Sequence, residues 1–264
     1  MIYAISDIHG CIGAFEDALD RINLSGLNRL ILLGDYIDYG PGSGQVLRRV
    51  YELQQKYGNG KVIVLMGNHE DALLGWLRMY RNGRAPKDIL PYDSWIKYDS
   101  EDGYKTFKTL VTEERMEKIR HMERKASFIK LNTTAAEMIM TSNGDLIRWM
   151  ESFKTYYKTD SQIFVHAGVD EDAGEEWEHG TGRGIFLGKY PAATGRFCKT
   201  IIAGHVGSAS VAGDKDFHDI YYDGMSHYYI DGTVYAGGKL NVLGYDEKNR
   251  AYYQIEPNGM REIG

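Results

Sequence analysis

Five short segments of this 264-residue chain bring carboxylates, imidazoles and one amide into close spacing. They are "DIHG" with Asp7 and His9, "GDYIDYG" with Asp35 and Asp38, "GNHE" with Asn68 and His69, "VHAG" with His166, and "AGH" with His205. Oxygen and imidazole donors without thiolates suit manganese, iron or zinc, and do not suit a cysteine-rich structural zinc site. One carboxylate can bridge two cations through its two oxygens. Two cations about 3.5–4 Å apart clamp a phosphoryl oxygen and lower the pKa of a bridging water, giving hydroxide near neutral pH. The chemistry that this donor set fits is two-metal hydrolysis of a phosphoester.

Something must carry these groups to one place. Each segment follows an apolar run: "IYAIS", "RLILL", "KVIVLM", "QIFV" and "KTIIA". Sites in open α/β sheets form at the C-terminal ends of the strands, so all five segments share one predicted address. Gly10, Gly34, Gly67, Gly168 and Gly204 sit in the same segments and allow sharp exits from the strands. "CIGAFEDALDRI", with Ile12, Phe15, Leu19 and Ile22, and "SGQVLRRVYELQQKY" have helical spacing between the first three strands. That β-α-β-α-β order predicts a largely parallel sheet with right-handed crossovers. Residues 71–160 read as a mainly helical insertion, with "EERMEKIRHM" and "GDLIRWMESF" its clearest helices. No Pro/Ser-rich linker separates it, so one domain over 1–264 is expected. The end of the chain, from "DIYYDG" onward, alternates apolar and polar residues between Gly, Asp and Asn turns, which predicts an antiparallel meander.

Bulk properties narrow the class. With 43% hydrophobic and 26% charged residues the chain is neither disordered nor a membrane protein by composition. A net charge of −6 gives no general attraction for a nucleic-acid polymer or an anionic membrane. An anionic substrate must therefore meet local positive charge, bound cations included. Cys11 and Cys198 allow one bridge at most, and Cys11 reads as a small packed residue. "MIYAISDIHG" has neither a basic leader nor a long apolar stretch, so a cytoplasmic protein is expected.

Taken in order, the five segments resemble the motifs of the calcineurin-like metallophosphoesterases, and within them the phosphoprotein-phosphatase branch. That branch carries Asp-x-His-Gly, Gly-Asp-x-x-Asp-Arg-Gly, Gly-Asn-His-Glu, His-Gly/Ala-Gly and Gly-His. "YIDGTVYAGGKLNVLGYD" is similar to the family's last strands. The resemblance implies an α+β fold, an αββα sandwich of two mixed sheets face to face with helices outside. It implies one metal ion held by Asp7, His9 and Asp35, and a second by Asp35, Asn68, His166 and His205. A metal-bridging hydroxide would attack phosphorus, His69 would protonate the departing oxygen, and Asp38 would orient His69. Two divalent or trivalent ions, manganese, iron or zinc, are the expected cofactors.

Two positions depart from the branch. Tyr39 stands where Arg is usual, and Met66 where many members carry another Arg. Tyr39 reads either as a phenol packed at the rim or as a contact to the substrate. "GTGRGIFLGKYP" is similar to the segment that supplies a further phosphate-binding cation, which makes Lys189 and Arg183 candidates. "GPGS" at residues 40–43 and the lack of Arg before the third motif are similar to bacterial diadenosine-tetraphosphate hydrolases, while Asp38 is similar to the phosphatases proper. The expected substrate is thus a phosphorylated one, a phosphoprotein or a nucleotide. A phosphomonoester such as phosphoserine or phosphothreonine comes first, and dinucleoside polyphosphate second. A metal-binding module without turnover is the reading from another class. "SWIKYDSEDGYKTF" resembles a Trp-rich segment of bacterial members, whose aromatics could stack a base or pack in a cap. "DEDAGEEWEH" reads as a solvated acidic loop, and His218 and His227 as non-ligands.

Overall fold

A computed structural model describes residues 1–81 and 94–264 of the chain. Ile2–Ile5 forms strand β1, Arg29–Leu32 forms β2 and Val62–Val64 forms β3. The three are parallel neighbours, with Tyr3 opposite Leu30 and Ile31 opposite Ile63. Helices α1 (Ile12–Asp20) and α2 (Ser43–Tyr57) make the two crossovers that parallel strands require. Next come α3 (Asn68–Tyr80), α4 (Trp95–Glu101), α5 (Phe107–Leu110), α6 (Glu113–Glu123) and α7 (Phe128–Met150). The long helix α7 packs against α2, α3, α5 and α6, which ties this helical stretch to the body. Part of the 71–160 expectation, residues 82–93, lies outside the described residues. No helix among the described residues is long and apolar enough to cross a membrane.

The remaining strands are β4 (Tyr156–Lys158), β5 (Gln162–Val165), β6 (Thr200–Ala203), β7 (Tyr221–Tyr222), β8 (His227–Tyr229), β9 (Asp231–Gly232), β10 (Lys239–Leu240), β11 (Leu243–Asp246), β12 (Ala251–Glu256) and β13 (Gly259–Glu262). Two mixed sheets result. One runs β13-β12-β11-β1-β2-β3, the other β4-β5-β6-β8-β7. Their relation follows from the two-residue side-chain period of a strand. Ile2, Ala4, Ile31 and Ile63 of the first sheet share one buried cluster with Phe164, Ile202 and Tyr228 of the second. The alternate residues Tyr3, Ile5, Leu30, Leu32, Val62, Ile163 and Ile201 belong to the other cluster, with Phe15, Val46, Leu47 and Val50 of the helices. The sheets therefore pack face to face with helices outside. Both faces of β1, β2, β5 and β6 are buried, which explains why their sequences are continuous apolar runs. Burying each such side chain is worth about 1.5–3 kcal/mol.

The C-terminal segment differs from the expected single meander. Strands β7 and β8 join the second sheet, where β8 runs parallel to β6, and β9 pairs with β10. Strands β11, β12 and β13 form a meander, which extends the first sheet from β1. Thr233, at φ 53, and Gly237, at φ 93, bound a short turn that folds β10 back on β9, and the chain enters the first sheet only with β11.

Candidate metal centre

The ends of β1, β2, β3, β5 and β6 meet at one edge of the sandwich, and their turns deliver the five segments. The backbone there is strained in a shared way. Asp7, His9, Asp35, Asp38, Tyr39 and His205 all adopt left-handed conformations, with φ between 45 and 71. Such positions cost about 1–3 kcal/mol each and persist where the surroundings over-determine them. Close approach of the turns decides two glycines. A Cβ on Gly204 would stand 2.0 Å from both Asp7 Oδ2 and Ser6 Oγ, and one on Gly67 would stand 2.1 Å from Asp35 Oδ1.

Asp35 lies at the middle. Its Oδ2 is 3.6 Å from His9 Nε2, 3.8 Å from His69 Nε2 and 3.4 Å from His166 Nε2. Its Oδ1 accepts a hydrogen bond from the His69 backbone N–H at the start of α3, 3.1 Å away. Two groups able to hold a metal ion share this carboxylate: His9, Asp35 and His69, and Asp35, His166 and His205. Asp7 Oδ1 stands 3.9 Å from His9 Nε2, and Asp7 accepts from the His205 backbone N–H. Asn68 Oδ1 is 2.8 Å from His166 Nε2. All six residues expected as metal ligands are thus brought together.

The donor chemistry fits cations. His9 Nδ1 is 2.9 Å from the Ile37 carbonyl and His166 Nδ1 is 3.1 Å from that of Leu33. Each carbonyl takes an N–H, which leaves Nε2 turned to the cluster, as metal-binding histidines require. Burial lowers His9 and His205 to about 4, so both imidazoles are neutral at neutral pH. Burial, then Asp231 and Asp35, pushes Asp7 well above the usual carboxylate range, a sign of crowded negative charge. His166 answers that crowding. Burial opposes its charge, yet Asp35 and Asp7 hold it up at about 9, a proton standing where a cation would balance the same carboxylates.

His69 has a different setting. Its Nδ1 is 2.6 Å from Asp38 Oδ2, so its Nε2 faces the centre. Burial works against the imidazolium, but Asp35 and Asp38 raise it to about 10. Asp38 is itself fixed. Its N–H points to Ser43 Oγ and Thr106 Oγ1, both at 3.0 Å, and Thr106 Oγ1 donates to Asp38 Oδ1 at 2.5 Å. Asp99 then accepts the Thr106 and Phe107 backbone N–H groups at 3.0 and 2.8 Å.

Several supports escaped the sequence reading. Buried Glu70 accepts from the backbone N–H groups of Asp35, Tyr36, Ile37 and Gly67, pinning the loop that carries Asp35. The signal was its place after His69. Ser6 donates to Asp7 Oδ2. Asp231, buried behind Asp7, accepts from Thr233 N at 2.7 Å. Thr106, Asp99 and Asp231 had no spacing signal, because tertiary packing alone brings them here.

The substrate-side candidates separate. Tyr39 lies over the centre, with ring centroids 4.8 Å from His9 and 5.2 Å from His69, and stacks on Tyr235 at 4.4 Å. Arg183 Nη2 instead bonds Asp71 Oδ1 at 2.7 Å. Lys189 donates to the Val169 carbonyl and to Glu171, with its aliphatic stem over Gly168. The structure therefore gives both cations acidic partners outside the cluster. A cavity of about 650 Å³ opens beside His69, lined among the described residues by Asp38, Tyr39, Trp76, Met79, Trp95 and Tyr98, among others. Cys11 and Cys198 are both free, and His218 and His227 bond to Thr233 and Asp223.

A family model described as calcineurin-like phosphoesterase matches residues 1–207. Symmetrical bis(5'-nucleosyl)-tetraphosphatase of Wigglesworthia glossinidia brevipalpis is 44% identical over 73 residues, 27% of this chain and 25% of that protein. The corresponding protein of Nitrosospira multiformis is 39% identical over 74 residues, 28% and 25% of the two chains. The chain spans about a quarter of the length of these relatives. Among solved structures, a cold-active protein-tyrosine phosphatase of a psychrophilic Shewanella superposes with TM-score 0.59 at 15% identity, covering 100% of this chain and 80% of that one. A protein serine/threonine phosphatase from Saccharomyces cerevisiae gives 0.51 at 12% identity, covering 99% and 79%. These likenesses show the shared fold.

Proposed function

The chain belongs to the calcineurin-like phosphoesterases, a family of metal-dependent phosphoesterases, and we propose that it works with two metal ions placed on either side of Asp35. The observation that carries this reading is the position of Asp35 Oδ2, within 3.8 Å of three imidazole Nε2 atoms and common to both candidate ligand groups. Asp7, His9 and Asp35 would hold one ion, and Asp35, Asn68, His166 and His205 the other; manganese, iron and zinc suit these donors. Such ions would supply Lewis-acid polarisation of the phosphoryl group and a lowered pKa for the attacking water.

The chain's own residues do the rest. Asp38 accepts the Nδ1 proton of His69 and holds its ring so that Nε2–H points at the centre. That proton is available to a departing ester oxygen. Thr106 and Asp99 keep Asp38 in place from the helical stretch.

For the substrate, the proposal is a nucleotide-type phosphoester, such as a dinucleoside polyphosphate. The aromatic cavity beside His69 can seat a planar ring on the leaving-group side, and relatives over about a quarter of their length bear that activity in their names. This reverses the order that the motifs alone suggest. A phosphomonoester remains the second reading, favoured by the His69–Asp38 pair, which suits a poor alkoxide leaving group. Steady-state assays of the manganese-loaded protein with diadenosine tetraphosphate, a phosphopeptide and p-nitrophenyl phosphate separate the two. Preference for the dinucleotide supports the first, and preference for the peptide supports the second. A protein that binds two ions and turns over none of these is a binding module.

A further inference from the structure

Away from the Asp35 cluster, the second sheet buries a histidine with an idle ring nitrogen. His227 lies on β8 with 1% of its surface exposed. Its Nδ1–H donates to Asp223 Oδ2 at 3.0 Å, and the Asp223 carboxylate is held in turn by the backbone N–H groups of Gly195, Met225, Ser226 and His227. An ionised carboxylate only accepts, so this bond fixes the tautomer and leaves a lone pair on Nε2. Burial holds the imidazole below its ordinary pKa, so the ring is neutral at neutral pH. Nε2 has no hydrogen-bond partner among the described residues.

What Nε2 faces is another acceptor. Glu171 Oε1, at the start of the turn Glu171–Glu176, stands 3.6 Å away. A lone pair and a carboxylate at that distance repel unless positive charge lies between them. Positive charge does lie alongside: Lys189 Nζ donates to the other Glu171 oxygen and, at 2.7 Å, to the Val169 carbonyl. Asp170 adds negative charge near the ammonium. One carboxylate thus meets an imidazole lone pair through one oxygen and a cation through the other.

These are the parts of a metal site. A carboxylate that accepts the Nδ1–H of a histidine is the usual support for a metal-binding Nε2. Two donors of a tetrahedral zinc ion, each at about 2.0–2.1 Å, stand about 3.3–3.4 Å apart. The Glu171 side chain is 23% exposed, so a shift of a few tenths of an ångström brings Oε1 to that spacing and water completes the shell. Lys189, 20% exposed, has a way out to solvent.

We propose that His227 Nε2 and Glu171 form a zinc-type site separate from the Asp35 centre, in which the ion takes the place of the Lys189 ammonium on Glu171, with the Val169 carbonyl as a further oxygen donor. The ion ties the turn that follows the His166 segment to strand β8. It also releases Lys189, whose stem lies over Gly168 of that segment. Occupancy therefore decides whether this ammonium is bound to Glu171 or free. The site stands independently of the hydrolase reading.

Histidine-ring nitrogen NMR of the full chain, titrated with zinc chloride, reads this site apart from the Asp35 centre. His227 Nε2 shifts on zinc addition while Nδ1 keeps its proton. In Glu171→Gln the zinc affinity read at His227 falls by at least about 10- to 100-fold, the loss that even an outer partner of a metal ligand causes. In Lys189→Ala the competing ammonium is gone and affinity rises, by up to about fivefold, the worth of a partly exposed ion pair. If one variant does not fold, the other decides. A His227 signal that zinc leaves in place, or moves only at large excess, overturns the proposal. So does an affinity that Glu171→Gln leaves unchanged or Lys189→Ala lowers. A His227 ring doubly protonated in the zinc-free protein at neutral pH overturns it as well, since an imidazolium would then bridge Asp223 and Glu171.

Discussion

His69 illustrates how one side chain takes its role from its neighbours. Asp38 at 2.6 Å fixes the ring, and the carboxylates of Asp38 and Asp35 outweigh burial to hold the imidazole protonated to about pH 10 in the ion-free protein. A raised folded pKa means that this proton stabilises the fold fully below the ordinary histidine value near 6.5 and is lost as pH rises through about 10. Asp38→Asn removes one of the two carboxylates, so the His69 ring signals in nitrogen NMR of the ion-free protein should titrate at lower pH than in the wild type. An unmoved titration would detach Asp38 from this role. Catalytically, His69→Asn should retain both metals by elemental analysis and lose about 10²–10⁴ in kcat on an ester with a poor leaving group, with a smaller loss on p-nitrophenyl esters. Equal losses on both would show that His69 donates no proton.

At the scale of elements, strand ends place the proposed ligands, and the helical stretch holds Asp38 beside His69, the proposed acid. Strands β1, β2, β3, β5 and β6 were legible because apolar runs of four to six residues are too short for helices, and the candidate ligand segments followed at their ends. Asn68 at the N-terminus of α3 shows that the helical stretch starts within a candidate ligand segment, three residues earlier than the expected start at Asp71. What stayed hidden was contact across distant sequence: Asp99 to Thr106 to Asp38, and Asp231 behind Asp7. No period or turn signal encodes such pairs, and the division of the C-terminal strands between two sheets is likewise set by pairing with strands distant in sequence, β8 with β6 and β11 with β1. Asp99 offers a test of the buttress. Burial pushes it to about 7, so its protonation stabilises the fold below the ordinary carboxylate range and that contribution is lost as pH rises through 7. The wild type should lose stability over pH 4–7 with a slope up to about 1.4 kcal/mol per pH unit from this group. Asp99→Asn should remove that part of the slope in urea unfolding, and identical slopes would place the carboxylate outside the titration. Gly204→Ala tests the strand exits. Its methyl would overlap Asp7 and Ser6, so metal affinity should fall and stability drop by about 1–3 kcal/mol.

Across the whole molecule, two sheets, a helical stretch and a C-terminal meander close around one charged centre whose carboxylates repel one another without cations. Metal ions bind the folded state and should therefore stabilise the entire fold. At a hundredfold excess over Kd the gain is about 2.7 kcal/mol per site, which for a chain of this size raises Tm by about 5–10 °C for one site. Chelation followed by calorimetric melting measures this, and an unchanged Tm would mean that the crowded carboxylates are satisfied without ions. The central claim is narrower, that two ions share Asp35. Anomalous diffraction from a manganese-soaked crystal tests it most directly. Two peaks about 3.5–4 Å apart, with the Asp35 carboxylate between them, are the result expected. A single peak, or two peaks that do not both contact Asp35, would contradict it.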